Sequence, residues 1–356
     1  MNVATDTICA TVASKMGLSM INWIARVAVV AFALFPLAFA AVAEPIKLKF
    51  AFFSSDRANL YHAGVKPFVE AVNAEAKGLL EIEVYFNGEL GKGLVLQSQL
   101  VRDGTADIAY VTPGITPDRF RDNAVIELPG LYRDMREATL VFTRLVAANA
   151  LKGYEDFFVI GAFAVEPESI HTRVPVASLN DLRGKRIRVN NSISGATLEK
   201  LGMSAVVMPV NLTPEAIGSG KVDGAAVPMS PLFEFGIGRI VTHHYFIRIG
   251  SAPLTVLMNR KTFDSLPKQA QDIIRKYSGE WAAERFIATY DAVNRPLMEQ
   301  LKSDSRRTVV FPSQSDLDTA RAAFGTVIEE WRAKAPRNSE LLKAAEAQLA
   351  KLRPSR

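Results

Sequence analysis

A short apolar strand with an arginine inside it raises the first chemical question of this chain. The stretch is "DLRGKRIRVNN", Asp181 to Asn191, and it reads as a turn followed by a strand. Strand side chains alternate between faces, so Ile187 and Val189 point one way and Arg186, Arg188 and Asn190 the other. A guanidinium on a strand face has to be met by water, a partner acid or a ligand. Its planar fork of donors matches a carboxylate. The residues alone leave the three possibilities open, and a solvated charge is the ordinary outcome.

Other chemistry is hard to find. No GxGxxG follows a strand and no GxxxxGK[ST] occurs, so no nucleotide-phosphate loop is signalled. No GxSxG nucleophile turn is present. The single cysteine, Cys9, lies ahead of the N-terminal apolar run, which leaves no thiol nucleophile beyond it. The histidines are His62, His171, His243 and His244. The adjacent pair would send its rings to opposite faces of a strand, a poor spacing for one metal, and no HExxH pattern occurs. Acidic residues are plentiful, but no pair stands out as a general acid and base. Neither catalysis nor a cofactor is indicated.

Residues 1–43 have the order of an export signal: Arg26, an unbroken apolar run from Val27, then Ala41-Val42-Ala43 before Glu44. The run of 17 residues is at the short limit for crossing a bilayer, and no second one follows. Cleavage after Ala43 is therefore expected, rather than a retained anchor. The stretch before Arg26 is long for a signal, and Met16 or Met20 offers a closer start. Removing Lys15, Arg26 and Asp6 lowers the net charge from +5 to +4 over the remaining 313 residues. Those charges are scattered rather than gathered in a patch, which argues against nucleic acid. A cysteine-free mature chain suits an oxidising compartment without using disulfides.

The elements that would position Arg188 read as alternating strands and helices. "IKLKFAFF" (46–53), "LEIEVYF" (80–86) and "ADIAYV" (106–111) are strands, separated by helical spacing around Val65 to Val72 and from Leu94 to Arg102. The same grammar returns later, with "SAVVMPV" (204–210) and "VDGAAVP" (222–228). Such alternation predicts parallel sheets with helices on both faces. "RDGTADIAYV" (102–111) and "GSGKVDGAAV" (218–227) both run helix end, glycine, two residues, aspartate, strand, which hints at two halves built alike. From Pro267 to about Leu301 the pattern predicts one long helix, with Ile273, Tyr277, Trp281 and Phe286 as its apolar stripe and Pro296 as a possible kink. A late strand, "RTVVF", and two amphipathic helices, Leu317 to Trp331 and Leu341 to Leu352, close the chain.

Landmarks along the whole mature chain resemble the solute-binding proteins of tripartite ATP-independent periplasmic (TRAP) transporters. They come in order: "FNGELGKG", "VRDGTADIAYVTPG", "IELPGLY", "DLRGKRIRV", "LGMSAVVMPV", "SGKVDGAAVP", "VTHHY" and "LMNRKTFDSLP". The resemblance implies an α/β periplasmic binding protein fold of two domains with a ligand cleft between them and a long helix spanning both. One domain would take 44–165 plus 254–293, the other 166–253 plus 294–356. It also implies that Arg188, the arginine of the "[KR]IRV" strand, pairs with a substrate carboxylate, while Arg186 has no such support.

The chain departs from the family's pattern at three places. Many members carry a second arginine near the position of Glu168, an asparagine where Val227 stands, and a glutamate near Val95 and Leu96. With those polar positions apolar or reversed in sign, the expected ligand has one carboxylate and an apolar or aromatic body. Asn190, on the arginine's face, joins the expected substrate-binding set, and Phe53, Tyr61 and Phe233 are candidate pocket walls. The implied role is a periplasmic receptor that hands a small organic acid to the permease subunits of a TRAP transporter, and that does not itself span the membrane once the signal is removed. A ligand-sensing module for a receptor or kinase is the alternative, and a hydrolytic enzyme the weakest reading.

Overall fold

The computed structural model of the chain describes residues 44–353, so the export signal expected at 1–43 lies outside the described residues. Two mixed sheets organise it. β1 (Ile46–Ala51), β2 (Leu80–Tyr85), β3 (Ile108–Val111), β4 (Phe157–Ala164) and β10 (Pro253–Asn259) form the first, in the order β2-β1-β3-β10-β4. β5 (Ser169–Thr172), β6 (Arg186–Val189), β7 (Ser204–Val207), β8 (Gly224–Val227), β9 (His243–Tyr245) and β11 (Thr308–Val310) form the second, in the order β11-β9-β5-β8-β6-β7. The alternating strand-and-helix pattern predicted parallel sheets, and each sheet does hold a parallel trio. Each trio is then extended by an antiparallel strand, β10 beside β3 and β5 beside β8. The departure arises because β10 and β5 are the strands that join the halves. A chain that leaves one sheet for the other and comes back cannot keep one direction.

The resemblance between the two halves has an atomic basis. "RDGTADIAYV" leads into β3 and "GSGKVDGAAV" into β8, the third strands of their trios. Gly104 and Gly220 take φ of 78° and 75°, a left-handed turn that a glycine adopts at no steric cost. Asp107 then donates its N–H to the Lys49 carbonyl on β1 at 2.9 Å, and its carboxylate accepts the Lys49 N–H at 2.8 Å. Asp223 makes the same pair of bonds with Arg186 on β6, at 2.7 and 2.8 Å. The aspartate thus fixes the register of third strand on first in both halves.

Two crossing segments connect the sheets. Residues 165–168 run from β4 to β5, residues 246–252 run from β9 back to β10, and they pair with each other. Val165 donates to the Ala252 carbonyl at 3.2 Å, Glu168 to Gly250 at 2.8 Å, and Ile249 to Glu168 at 2.9 Å. The helix Glu280–Ser303 spans both halves. Ala283, Phe286 and Tyr290 lie in the core of the first sheet, and Leu301 in that of the second. Phe286 stacks on Phe163 with ring centroids 4.5 Å apart, an anchor worth about 0.5–1.5 kcal/mol beyond its buried area.

This helix is shorter than the spacing predicted. The run from Pro267 is broken at Tyr277–Gly279 into Lys268–Lys276 and Glu280–Ser303, and Gly279 at the break has φ 63°. Pro296 sits inside the second piece without ending it. The helix expected from Leu94 opens as a 3-10 turn, Leu94–Leu96, and becomes α-helical at Gln97–Arg102. The last helix, Pro336–Leu352, departs from the expected division of the chain. Leu341, Leu342, Ala345 and Leu349 are buried in the core on the first sheet, not the second.

Candidate functional site

The ends of the parallel strands define a small cavity of about 60 Å³. Its walls are the residues that follow those strands: Phe53 after β1, Thr112 after β3, Asn190 after β6, Val210 beyond β7 and Pro228 after β8. This is the carboxyl-end crevice where α/β sheets collect ligands. Val165 and Glu168 of one crossing segment and Ala252 of the other close the floor. Both halves contribute, so the cavity lies between the two sheets.

Arg188 is held there, 1% exposed and among the largest fully buried side chains of the protein. β6 places Ile187 and Val189 in the core of the second sheet and turns the guanidinium the other way. Nε donates to the Met208 carbonyl at 2.9 Å, Nη1 to the Ala226 carbonyl at 3.5 Å, and Nη2 to Asn190 Oδ1 at 3.2 Å. Three of the five N–H groups are thereby used, which leaves one on each Nη. Burial pulls its pKa down to about 10, with the charge of Glu168 acting in the opposite sense, so the group stays cationic at neutral pH. It forms no ion pair with Glu168: the guanidinium's bonds go to carbonyl oxygens, and Glu168 Oε2 accepts from Ser194 Oγ at 3.0 Å. A buried cation without a bonded anion is costly.

Two buried acids stand behind the arginine. Burial pushes the Glu168 carboxyl up to about 7, against the pull of Arg188 and Ser194. Burial and the charge of Glu168 push Glu127 up to about 8. The Asn191 side chain accepts the Ser194 N–H at 2.7 Å and caps the helix Ser192–Lys200, which presents Ser194 to Glu168. Among the described residues no group of three or more His, Cys, Asp or Glu could hold a metal ion.

The fold brings Phe53, Glu168, Arg188, Asn190 and Val227 together at the cavity. It does not bring Tyr61 or Phe233. Tyr61 packs against Phe52 and Phe86, with centroids 5.9 and 5.0 Å away, in an aromatic cluster on the first sheet. Phe233 packs in the core of the second sheet, while Pro231 and Phe235 line the cavity. Residues four apart share a side of a helical turn and the one between them does not. That spacing is the signal that would have chosen Phe235. Arg186, two residues from Arg188, donates instead to the Gly220 carbonyl at 2.8 Å, and its side chain is 50% exposed. Val95 and Leu96 face solvent, and Leu94 is the residue of that turn that reaches the cavity.

The histidines also do something the sequence did not suggest. His171 Nδ1 and His244 Nδ1 lie 2.8 Å apart across β5 and β9. His171 Nε2 meets the Val227 carbonyl at 3.2 Å, and Arg307 Nη1 meets His244 Nε2 at 3.3 Å. A carbonyl only accepts and a guanidinium only donates, so the chain of bonds has one polarity, from Arg307 through both neutral rings to Val227. It braces the strand end that carries the Val227 wall.

The profile of the family described as bacterial extracellular solute-binding protein, family 7, matches residues 53–334. A solved TRAP solute-binding protein from an unidentified microbe of a marine metagenome is 28% identical to this chain, with a TM-score of 0.78, covering 86% of this chain and 99% of that one. It is described as specific for aromatic acid ligands and was determined with metahydroxyphenylacetate. A TRAP solute-binding protein from Rhodoferax ferrireducens, solved with copurified benzoate, is 24% identical with a TM-score of 0.77 over 86% of this chain and 98% of its own, a likeness of fold. The C4-dicarboxylate-binding periplasmic protein DctP of Rhodobacter capsulatus is 24% identical over 249 residues, 67% of this chain and 73% of that one.

Proposed function

This chain belongs to family 7 of the bacterial extracellular solute-binding proteins, and from that premise we propose that it captures a monocarboxylate with an apolar, aromatic body and delivers it to a TRAP permease. In this reading the chain is exported, cleaved after Ala43, and works as two domains that close on the ligand in the periplasm.

The observation that carries the ligand class is the pair of N–H groups left on Arg188, one on each Nη, in a cavity with no second basic side chain. A carboxylate accepts two parallel bonds from such a fork. A dicarboxylate or sugar acid would bring a second charge or several hydroxyls against Phe53, Leu254, Val227 and Phe235, and the remaining polar lining, Thr112, Glu168 and Asn190, offers no second cation. The aromatic acid of the marine relative is in keeping with this choice, and the dicarboxylate of the Rhodobacter relative is the contrast that tests it.

A thermal-shift panel decides between them. Benzoate, 3-hydroxybenzoate and phenylacetate are expected to raise the melting temperature, since a ligand that binds only the folded state stabilises it by mass action. Succinate and malate are expected to do little. Stabilisation by the dicarboxylates alone would overturn the proposal.

A further inference from the structure

Glu168 occupies a position that binding of an anion should make untenable for a second negative charge. It is 1% exposed, and its backbone is pinned between Gly250 and Ile249 of the other crossing segment, which holds the residue beside the cavity. Oε2 accepts from Ser194 Oγ at 3.0 Å, whereas Oε1 accepts no hydrogen bond among the described residues. The residue lines the same cavity as Arg188 and Asn190. The charged groups that face it are few. Arg188 comes from β6 and Glu127 from the helix Ala124–Glu127, where Oε1 is buried without a partner; the helix Ser192–Lys200 offers only the neutral Ser194. On its own segment Glu166 turns away to accept the Met229 N–H at 2.8 Å, and on the paired segment Arg248 donates to the Arg133 carbonyl at 2.6 Å.

We propose that Glu168, in its protonated form, is the second polar contact for the bound carboxylate, donating from Oε1 to the ligand while Arg188 supplies the fork, so that binding takes up one proton from solvent. The inference rests on the carboxylate reading above. No bond of the ligand is made or broken; the proton comes from water and stays on Glu168. The reason is charge counting in a dry space. One guanidinium balances one carboxylate. Two carboxylates beside a single guanidinium cannot both stay ionised at little cost, and the more buried one protonates. Burial already holds the Glu168 carboxyl up near 7 in the empty site, and the ligand's charge pushes it further in the same direction.

Linkage gives the sign. Below about pH 7 Glu168 is already protonated in the empty site, so affinity is flat there. Above it the free protein loses the proton and the complex keeps it, so affinity falls by up to tenfold per pH unit. A benzoate-like acid, of pKa roughly 4, is ionised throughout and adds no slope of its own.

Calorimetry of benzoate binding from pH 5.5 to 8.5, in buffers of different ionisation enthalpy, counts the protons directly on the unaltered protein. Uptake is expected to be near zero at the acid end and to approach one at pH 8 and above. Glu168→Gln keeps a donor and cannot titrate, so it should bind with a flat pH profile and a buffer-independent enthalpy. Glu127→Gln should retain the wild-type slope. Flat, buffer-independent binding by wild type overturns the inference and leaves the carboxylate reading standing. So does a slope that survives in Glu168→Gln or disappears in Glu127→Gln. Failure of benzoate and every other monocarboxylate to bind at any pH overturns the carboxylate reading itself, and this inference with it.

Discussion

At the scale of single residues, the protein turns on the difference between Arg186 and Arg188. Strand alternation put them on one face, and that much was legible. Their fates were not, because they depend on what lies beyond each end of β6. Arg186 is at the start, beside Asp223 and the Gly220 carbonyl at the outer edge, while Arg188 is at the end that opens into the cavity. The prediction follows from burial. Arg188→Ala would leave a ligand carboxylate unpaired in a dry site, at a cost of roughly 2–5 kcal/mol, or about 30- to several-thousand-fold in affinity. Arg188→Lys keeps charge without the fork and should bind weakly. Arg186→Ala should change binding little. Calorimetry on the three folded variants checks this, and an Arg188→Ala protein that binds within about threefold of wild type, roughly 0.6 kcal/mol, would mean that the arginine does not meet the ligand. Tyr61 and Phe233 are aromatic and near the right loops, which is all that the sequence shows of them. Aromatic rings are as useful to a core as to a pocket, and only the local turn decides which way each points.

At the scale of elements, the sequence carried the alternation of strands and helices and even the internal likeness, since the aspartate that locks third strand to first recurs in both halves as Asp107 and Asp223. It misled where periodicity stays in phase across a break. Ile273, Tyr277 and Trp281 keep a spacing of four through the gap, and the Tyr277 and Trp281 rings still meet, 4.9 Å apart. An apolar stripe therefore reads as continuous although the backbone is not. The exception is Gly279, whose φ of 63° and ψ of −127° no helix contains, and whose N–H donates to the Ile160 carbonyl on β4 at 2.8 Å. Nothing lies within 4 Å of where a side chain would begin, so Gly279→Ala meets only backbone strain. That should cost about 1–3 kcal/mol. Gly325, exposed inside the helix Gln314–Ala333 with equally open space, gives the opposite sign: Gly325→Ala should stabilise by about 0.5–1 kcal/mol. Denaturant midpoints of the two variants test the pair. A Gly279→Ala protein as stable as wild type would show that the break tolerates an ordinary residue.

At the scale of the whole molecule, the two halves meet around a largely buried site. The cavity is walled from both sheets, and its arginine is 1% exposed. The halves also touch across the cleft. Asn59, in the helix Asn59–Gly64 on the first sheet, donates from Nδ2 to Ser230 Oγ at 2.9 Å and from its backbone to Glu234, both on the helix Met229–Glu234 of the second. Parting of these contacts would widen the way to the cavity. The two paired crossing segments and the helices Glu280–Ser303 and Gln314–Ala333 each link the two cores. If the halves close on the ligand as proposed, binding is expected to shift the population toward the closed arrangement. Small-angle scattering should show a larger radius for the free protein than for the protein saturated with the best ligand of the panel. Asn59→Ala removes one of these contacts between the halves. Losing one such hydrogen bond, about 0.5–1.5 kcal/mol, should weaken binding by roughly two- to tenfold, mainly through faster release, with no residue of the cavity wall altered. If the scattering profile is unchanged at saturation and Asn59→Ala releases ligand at the wild-type rate, the cleft is rigid and the ligand enters by another route.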